Sequence, residues 1–176
     1  MSKKIKIQIS NQTFELPSNS LRVDKWNNEP FIDMCAKNTA SMIKQFVKKN
    51  FPNVKVWSTS DVYSGGSSVR VNVSNSDGSS ISEKVYNEIR GFANSFKAGY
   101  FDGMSDCYEY YDEKLKTDNG TSLKYFPSYI FVENKAPWGS VEYWVNEIKN
   151  EGRILEQEVY YMKAGMKDKV VAALSM

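Results

Sequence analysis

The sequence predicts an α+β domain, an antiparallel sheet with helices on one face, in the order ββ-α-ββ-α-ββ-αα. Three observations carry this. Residues 4–9 and 69–73 alternate apolar and polar side chains, the period of a half-buried strand. Residues 31–50 and 80–96 repeat their apolar positions at helical spacing. Turn signals separate these runs: Asn11-Gln12, Ser64-Gly65-Gly66-Ser67 and Asp77-Gly78.

Taken in order, Lys4–Ile9 and Thr13–Leu16 form a short hairpin. Residues 17–30 are a polar connector with Pro17 and Pro30 at its ends. The first helix, 31–50, turns Ile32, Ala36, Ile43 and Val47 inward with Cys35, Met42 and Phe46 beside them, and Pro52 prevents its continuation. Residues 54–63 and 68–74 form the clearest hairpin. Ser80 and Glu83 have capping-box spacing at the start of the second helix. Residues 100–111 are extended and aromatic, and 112–123 are a polar loop. Residues 124–133 return as a strand, with Pro127 at an edge or outside the ladder. Ser140 caps a third helix that Gly152 ends. The tail, 153–176, reads as a fourth helix interrupted at Gly165, with an extended start over 154–161 as the alternative. The division is an N-terminal hairpin and connector (1–30), an α+β core (31–133) and a C-terminal helical segment packed on the core (134–176).

The 176 residues suffice for one domain with a sizeable core, and 41% hydrophobic with 25% charged residues argue against a disordered chain. Histidine is absent, which excludes Ser-His and Cys-His nucleophile pairs and His-containing zinc sites. Cys35 and Cys107 are expected to be free thiols of a reducing cytoplasm. Cys35 reads as core, and the acidic neighbours of Cys107 make it a poor nucleophile. No run approaches the ~20 apolar residues that span a bilayer, and the N-terminus alternates where a signal peptide would be apolar.

Net charge is only +2, but it is unevenly placed. Residues 1–60 hold ten Lys/Arg against four Asp/Glu, whereas residues 99–120 hold six acids against two lysines. Two candidate surfaces follow. The first is acidic and aromatic: Tyr100, Phe101, Asp102, Asp106, Tyr108, Glu109, Tyr110 and Asp112 suit an arginine-lined partner. The second is the lysine face of the first helix, Lys37, Lys44, Lys48 and Lys49, which suits nucleic acid, with Trp57 and Tyr63 available to stack on bases. The competing reading of each is ordinary: a solvated acidic edge and a solvated helix face. Asp102 and Asp106 could also share a magnesium ion for phosphodiester hydrolysis, with Lys55, Glu83 or Glu133 as the missing member. Gly65-Gly66 lacks the flanks of a phosphate loop and reads as a tight turn. No catalytic residue, metal site or cofactor is expected.

Four segments carry a resemblance: Cys35-Ala36-Lys37, Phe51-Pro52-Asn53-Val54-Lys55, Ser64-Gly65-Gly66-Ser67-Ser68-Val69 and Tyr100-Phe101-Asp102-Gly103-Met104-Ser105-Asp106. Over residues 31–133 the chain resembles the large polyvalent protein-associated domains of phages, plasmids and integrated elements. The resemblance implies an accessory part of a mobile-element protein in a bacterial host cell, with no catalytic residues to carry over. A free-standing copy then resembles a small counter-defence protein of the anti-CRISPR or anti-restriction kind. Its expected partner is a host defence protein or ribonucleoprotein complex, and direct nucleic-acid binding is the alternative.

Overall fold

The computed structural model describes residues 3–112, 115–152, 162 and 165–176. The chain begins with an antiparallel hairpin, β1 (Lys4–Ile9) and β2 (Gln12–Pro17). Its two-residue turn places Ser10 and Asn11 at φ 52° and 61°, the twist that suits a tight hairpin. Asp118 holds this turn, its carboxylate accepting from the backbone N–H of Ser10 and of Asn11, each at 2.8 Å. The connector contains β3 (Leu21–Val23), and β4 (Pro30–Asp33) follows.

The first helix, α1, runs Ala36–Asn50, five residues shorter at its start than the sequence predicts. Phe31 and Ile32 belong to β4, because over four residues a helical stripe and a strand alternation place the same apolar positions. Cys35 therefore sits at the helix N-cap, half-buried, and not on the inner face of the helix. Asn38 and Thr39 tie the junction, Asn38 Nδ2 donating to Asp33 O at 2.7 Å and Thr39 Oγ1 to Met34 O at 2.8 Å.

Next come β5 (Lys55–Tyr63) and β6 (Gly66–Ser74), the hairpin expected from the sequence, turned at Ser64 and Gly65 with Gly65 at φ 89°. Helix α2 (Glu83–Asn94) is capped by Ser82 in place of Ser80. Ser80 instead donates from Oγ to Asn134 O at 3.0 Å, beside the paired hydrogen bonds of the Asn134 amide with Ile81. Then follow β7 (Gly99–Asp102), β8 (Cys107–Tyr110), β9 (Ser122–Lys124), β10 (Tyr129–Glu133), α3 (Val141–Glu151) and α4 (Met166–Leu174).

The α+β class and the element order hold, but the strands do not make one antiparallel sheet. The described strands form four small sheets, two of them mixed: β10-β6-β5 and β3-β4-β9, besides the hairpins β1-β2 and β7-β8. β10 lies parallel to β6 and β9 parallel to β4. The segment read as one strand over 124–133 is split, since Tyr125 adopts φ 65° and Pro127 cannot join a ladder. The alternative of an extended stretch over 154–161 lies outside the described residues.

One core joins the parts. Met42, Ile43, Phe46 and Val47 of α1 pack with Val69, Val71 and Val73 of β6 and with Ile89 and Ala93 of α2, all buried. Each such apolar side chain contributes about 1.5–3 kcal/mol when fully buried. Phe46 stacks on Phe92 at 3.8 Å, and Phe14 of β2 lies 5.7 Å from the same ring. Ile7, Phe14 and Leu16 of the first hairpin thus belong to the same core. Trp144, Val145 and Val170 form a separate small cluster between α3 and α4. Both cysteines are free, and among the described residues no helix is long and apolar enough to cross a membrane.

Candidate partner-binding hairpin

The acidic, aromatic segment folds as the hairpin β7-β8, with Gly99 opposite Tyr110, Tyr100 opposite Glu109, Phe101 opposite Tyr108 and Asp102 opposite Cys107. Its turn is locally determined. The Asp102 carboxylate accepts from Met104 N–H and Ser105 Oγ, each at 2.9 Å. These bonds, the Met104 N–H first, hold its carboxyl below the usual carboxylate range. Asp106 closes the turn in the left-handed region at φ 55°, which a short polar side chain tolerates. At the base, Gly99 lets the strands approach: a Cβ there would lie 1.9 Å from Glu109 O.

Alternation gives the hairpin two faces. On one, Tyr108 is the anchor. Its hydroxyl donates to Ser128 O at 2.6 Å, and its ring meets Tyr129 edge-on at 5.7 Å and Tyr110 at 5.0 Å. Burial, then the neighbouring Tyr129, Tyr110 and Tyr111 hydroxyls, push the Tyr108 phenol up to about 12. On the other face Tyr100 and Tyr111 lie 5.9 Å apart, with Glu109 on the same side. Tyr111 N–H donates to Ala98 O, and Ala98 N–H to Pro127 O, both at 3.0 Å, which fixes the hairpin to the segment before β10.

The surface is well exposed. Tyr100, Phe101, Tyr110 and Tyr111 keep 49–71% of their accessible area. Asp106, Glu109 and Asp112 are exposed, and no described cation pairs with them. Of the predicted surface residues, then, Tyr108 and Asp102 build the hairpin, while Tyr100, Phe101, Asp106, Glu109, Tyr110 and Asp112 are exposed.

No hydrolytic group is assembled among the described residues. Glu133 is engaged by Arg70, by Asn72 Nδ2 at 3.3 Å and by Lys135 at 3.5 Å. Lys55 pairs with Glu142 at 3.2 Å, and Glu83 is exposed in the first turn of α2. Among the described residues no three Cys, Asp or Glu side chains are placed to hold a metal ion. The lysines of α1 do share one helix. Lys37, Lys48 and Lys49 are exposed and Lys44 is half-buried, and no described acid pairs with them. Trp57 is half-buried on β5.

Sequence reading missed the aromatic surroundings. A cavity of about 570 Å³ separates the β5-β6 turn from the hairpin, with Val62, Tyr110, Tyr111, Tyr125 and Phe126 in its walls. Tyr125 looks like a strand residue in sequence, yet its left-handed backbone turns its ring out of the ladder, edge-on to Phe31 at 5.4 Å. Left-handed tyrosine is a rare conformation that no residue pattern announces.

The family model for large polyvalent protein associated domain 29 matches residues 34–137. The chain belongs to that family. The matched span of this domain 29 runs from the entry to α1 through β10 and takes in the whole tyrosine hairpin; it starts three residues after and ends four residues after the 31–133 of the resemblance. The hairpin β1-β2 lies outside the match although it shares the core. Comparison of the chain with curated proteins and with solved structures gives no match.

Proposed function

We propose that this domain is a non-enzymatic binding module of a mobile-element protein, acting in counter-defence by docking on a basic surface of a host defence complex, a CRISPR-type nuclease in the sharpest form. The observation that carries the reading is the β7-β8 hairpin, where exposed Tyr100, Phe101, Tyr110 and Tyr111 sit among the exposed acids Asp106, Glu109 and Asp112, which no described cation pairs. Tyrosine supplies contact area at low entropy cost, and exposed acids direct it toward arginine and lysine. Family membership supports the mobile-element setting. A groove that holds nucleic acid is the kind of basic surface such a hairpin would occupy.

The test compares charge reversal at Asp106, Glu109 and Asp112 with reversal at Lys37, Lys44 and Lys48. Inhibition of a defence nuclease, and its capture as a complex, should be lost with the acidic set and kept with the lysine set. The second reading, nucleic-acid binding through α1, has its own support in four lysines on one helix without described acidic partners. Loss with the lysine set alone, together with salt-dependent retardation of DNA or RNA, would replace the first reading by the second.

A further inference from the structure

We propose that β5 is a self-pairing edge, and that two copies of this chain join through it into one continuous sheet. β5 is the last strand of its sheet, and no described strand pairs with its outer side. Nine residues long, it is exposed from Thr59 to Tyr63, and Val62 keeps 82% of its area. A long open edge is a template for another strand unless its side chains oppose pairing.

The register of the β5-β6 hairpin says which backbone groups are available. Tyr63 and Gly66 close the two-residue turn as a pair that exchanges both backbone hydrogen bonds. Alternation fixes the rest. Lys55, Trp57, Thr59, Asp61 and Tyr63 turn their N–H and C=O groups toward β6. Val56, Ser58, Ser60 and Val62 turn theirs outward, where a further strand would meet them.

The side chains then select both the partner and the register. An antiparallel pairing of β5 with itself about a two-fold axis at Ser58 sets Ser58 opposite its own copy and Ser60 opposite Val56 of the second copy. The same register places Lys55 opposite Asp61 of the second copy, twice, and Trp57 opposite Thr59. Those are an opposite-charge pair and an aromatic–β-branched pair, the favourable kinds across strands. The same register sets Val62 opposite Val54 of the second copy, the residue just before β5, whose N–H already donates to Phe51 O at 2.9 Å. Moving the axis to Thr59 sets Lys55 against Tyr63 and Asp61 against Trp57, which gives up the charge match. Lys55 already touches Glu142 at 3.2 Å, so in the dimer its ammonium lies between two acids. Charges that would repel a foreign edge are self-complementary here, as an isologous interface requires.

Light scattering on the eluted full chain should give twice the 20.1 kDa of one chain at about 100 μM, dissociating on dilution. Ser58→Pro should leave a folded monomer, because it removes an outward N–H and no bond of the β5-β6 ladder. Asp61→Lys, a surface change that keeps the fold, should weaken the dimer about ten-fold. In a chain carrying Cys35→Ser and Cys107→Ser, Ser58→Cys should oxidise to a covalent dimer, since opposed residues in such a pair stand about 5.5 Å apart. A mass of one chain at every concentration, or a dimer indifferent to both Ser58→Pro and Asp61→Lys, would overturn the proposal.

Discussion

Lys124, at the end of β9, donates to the Asp24 carboxylate a hundred residues earlier, and its ammonium lies 5.1 Å from the centre of the Phe31 ring. The pair ties the β3-β4 connection to the strand that lies parallel to β4. The Lys124 hydrogen bond, then the Trp26 N–H, hold the Asp24 carboxyl below its usual 3.8, and Asp24 holds the Lys124 ammonium above its usual 10.5. The lowered Asp24 contributes stability above pH 3.8 that is lost as pH falls through its folded value. The raised Lys124 contributes below pH 10.5 and is lost as pH rises past its own. Lys124→Met should therefore lower the melting temperature between pH 5 and 9, and the difference from the parent should vanish below the Asp24 titration. Thermal melts across pH measure this, and carboxyl NMR should show Asp24 returning toward its ordinary value.

Gly78 is where α3 meets the turn after β6. Its φ is 87°, and a Cβ there would stand 1.8 Å from Glu142 O. Gly78→Ala thus meets both left-handed backbone strain and a clash with a helix backbone. A loss of about 2 kcal/mol or more is expected, read by urea denaturation. The Lys55–Glu142 and Lys149–Asp77 pairs span the same contact. Hydrogen exchange should show α3 loosening ahead of the central core.

Elements with long, clean periodicity were legible in the sequence. The β5-β6 hairpin, the bodies of both major helices (though not their starts) and the Ser140 and Gly152 caps of α3 sit where alternation, helical spacing and cap chemistry place them. Pairing between distant strands was not. Nothing within residues 30–33 distinguishes β4 from the first turn of α1, because its partners β3 and β9 lie elsewhere in the chain. The candidate hairpin was legible as an acidic, tyrosine-rich run, but the division of labour within it was not. Tyr108 differs from Tyr110 only through Ser128 and Tyr129, which the fold brings to it.

Phe14 is buried and stacks toward Phe92, although β2 lies outside the family match. Phe14→Ala removes a fully buried ring from the shared core and should cost about 3–5 kcal/mol. If the first hairpin is one cooperative unit with α1 and α2, the variant unfolds in a single transition at lower denaturant with unchanged slope. A separate early transition, with the remaining core unaffected, would mean that the hairpin folds apart from it.

Tyr108 holds the hairpin that presents the candidate surface, and its titration reports on that hold. The phenol is pushed up to about 12 from an ordinary 10.0, burial being the main cause, while its hydroxyl donates to Ser128 O. A group whose folded pKa is raised gives stability that is complete below pH 10 and is lost as pH rises toward 12. The hairpin should accordingly stay attached past pH 10 and loosen only as Tyr108 ionises. Tyrosinate absorbance should show a late-titrating ring that Tyr108→Phe removes and Tyr110→Phe leaves in place. Tyr108→Phe also leaves the Ser128 carbonyl without that donor, a loss of about 1–2 kcal/mol. Amide exchange at Tyr100 and Glu109 should then speed up at neutral pH, while exchange in α1 stays unchanged. Partner binding should weaken with Tyr108→Phe even though the exposed rings and acids are all retained, because the hydroxyl acts by positioning them. Equal exchange in the two chains would show that the ring packing against Tyr129 suffices without the hydrogen bond.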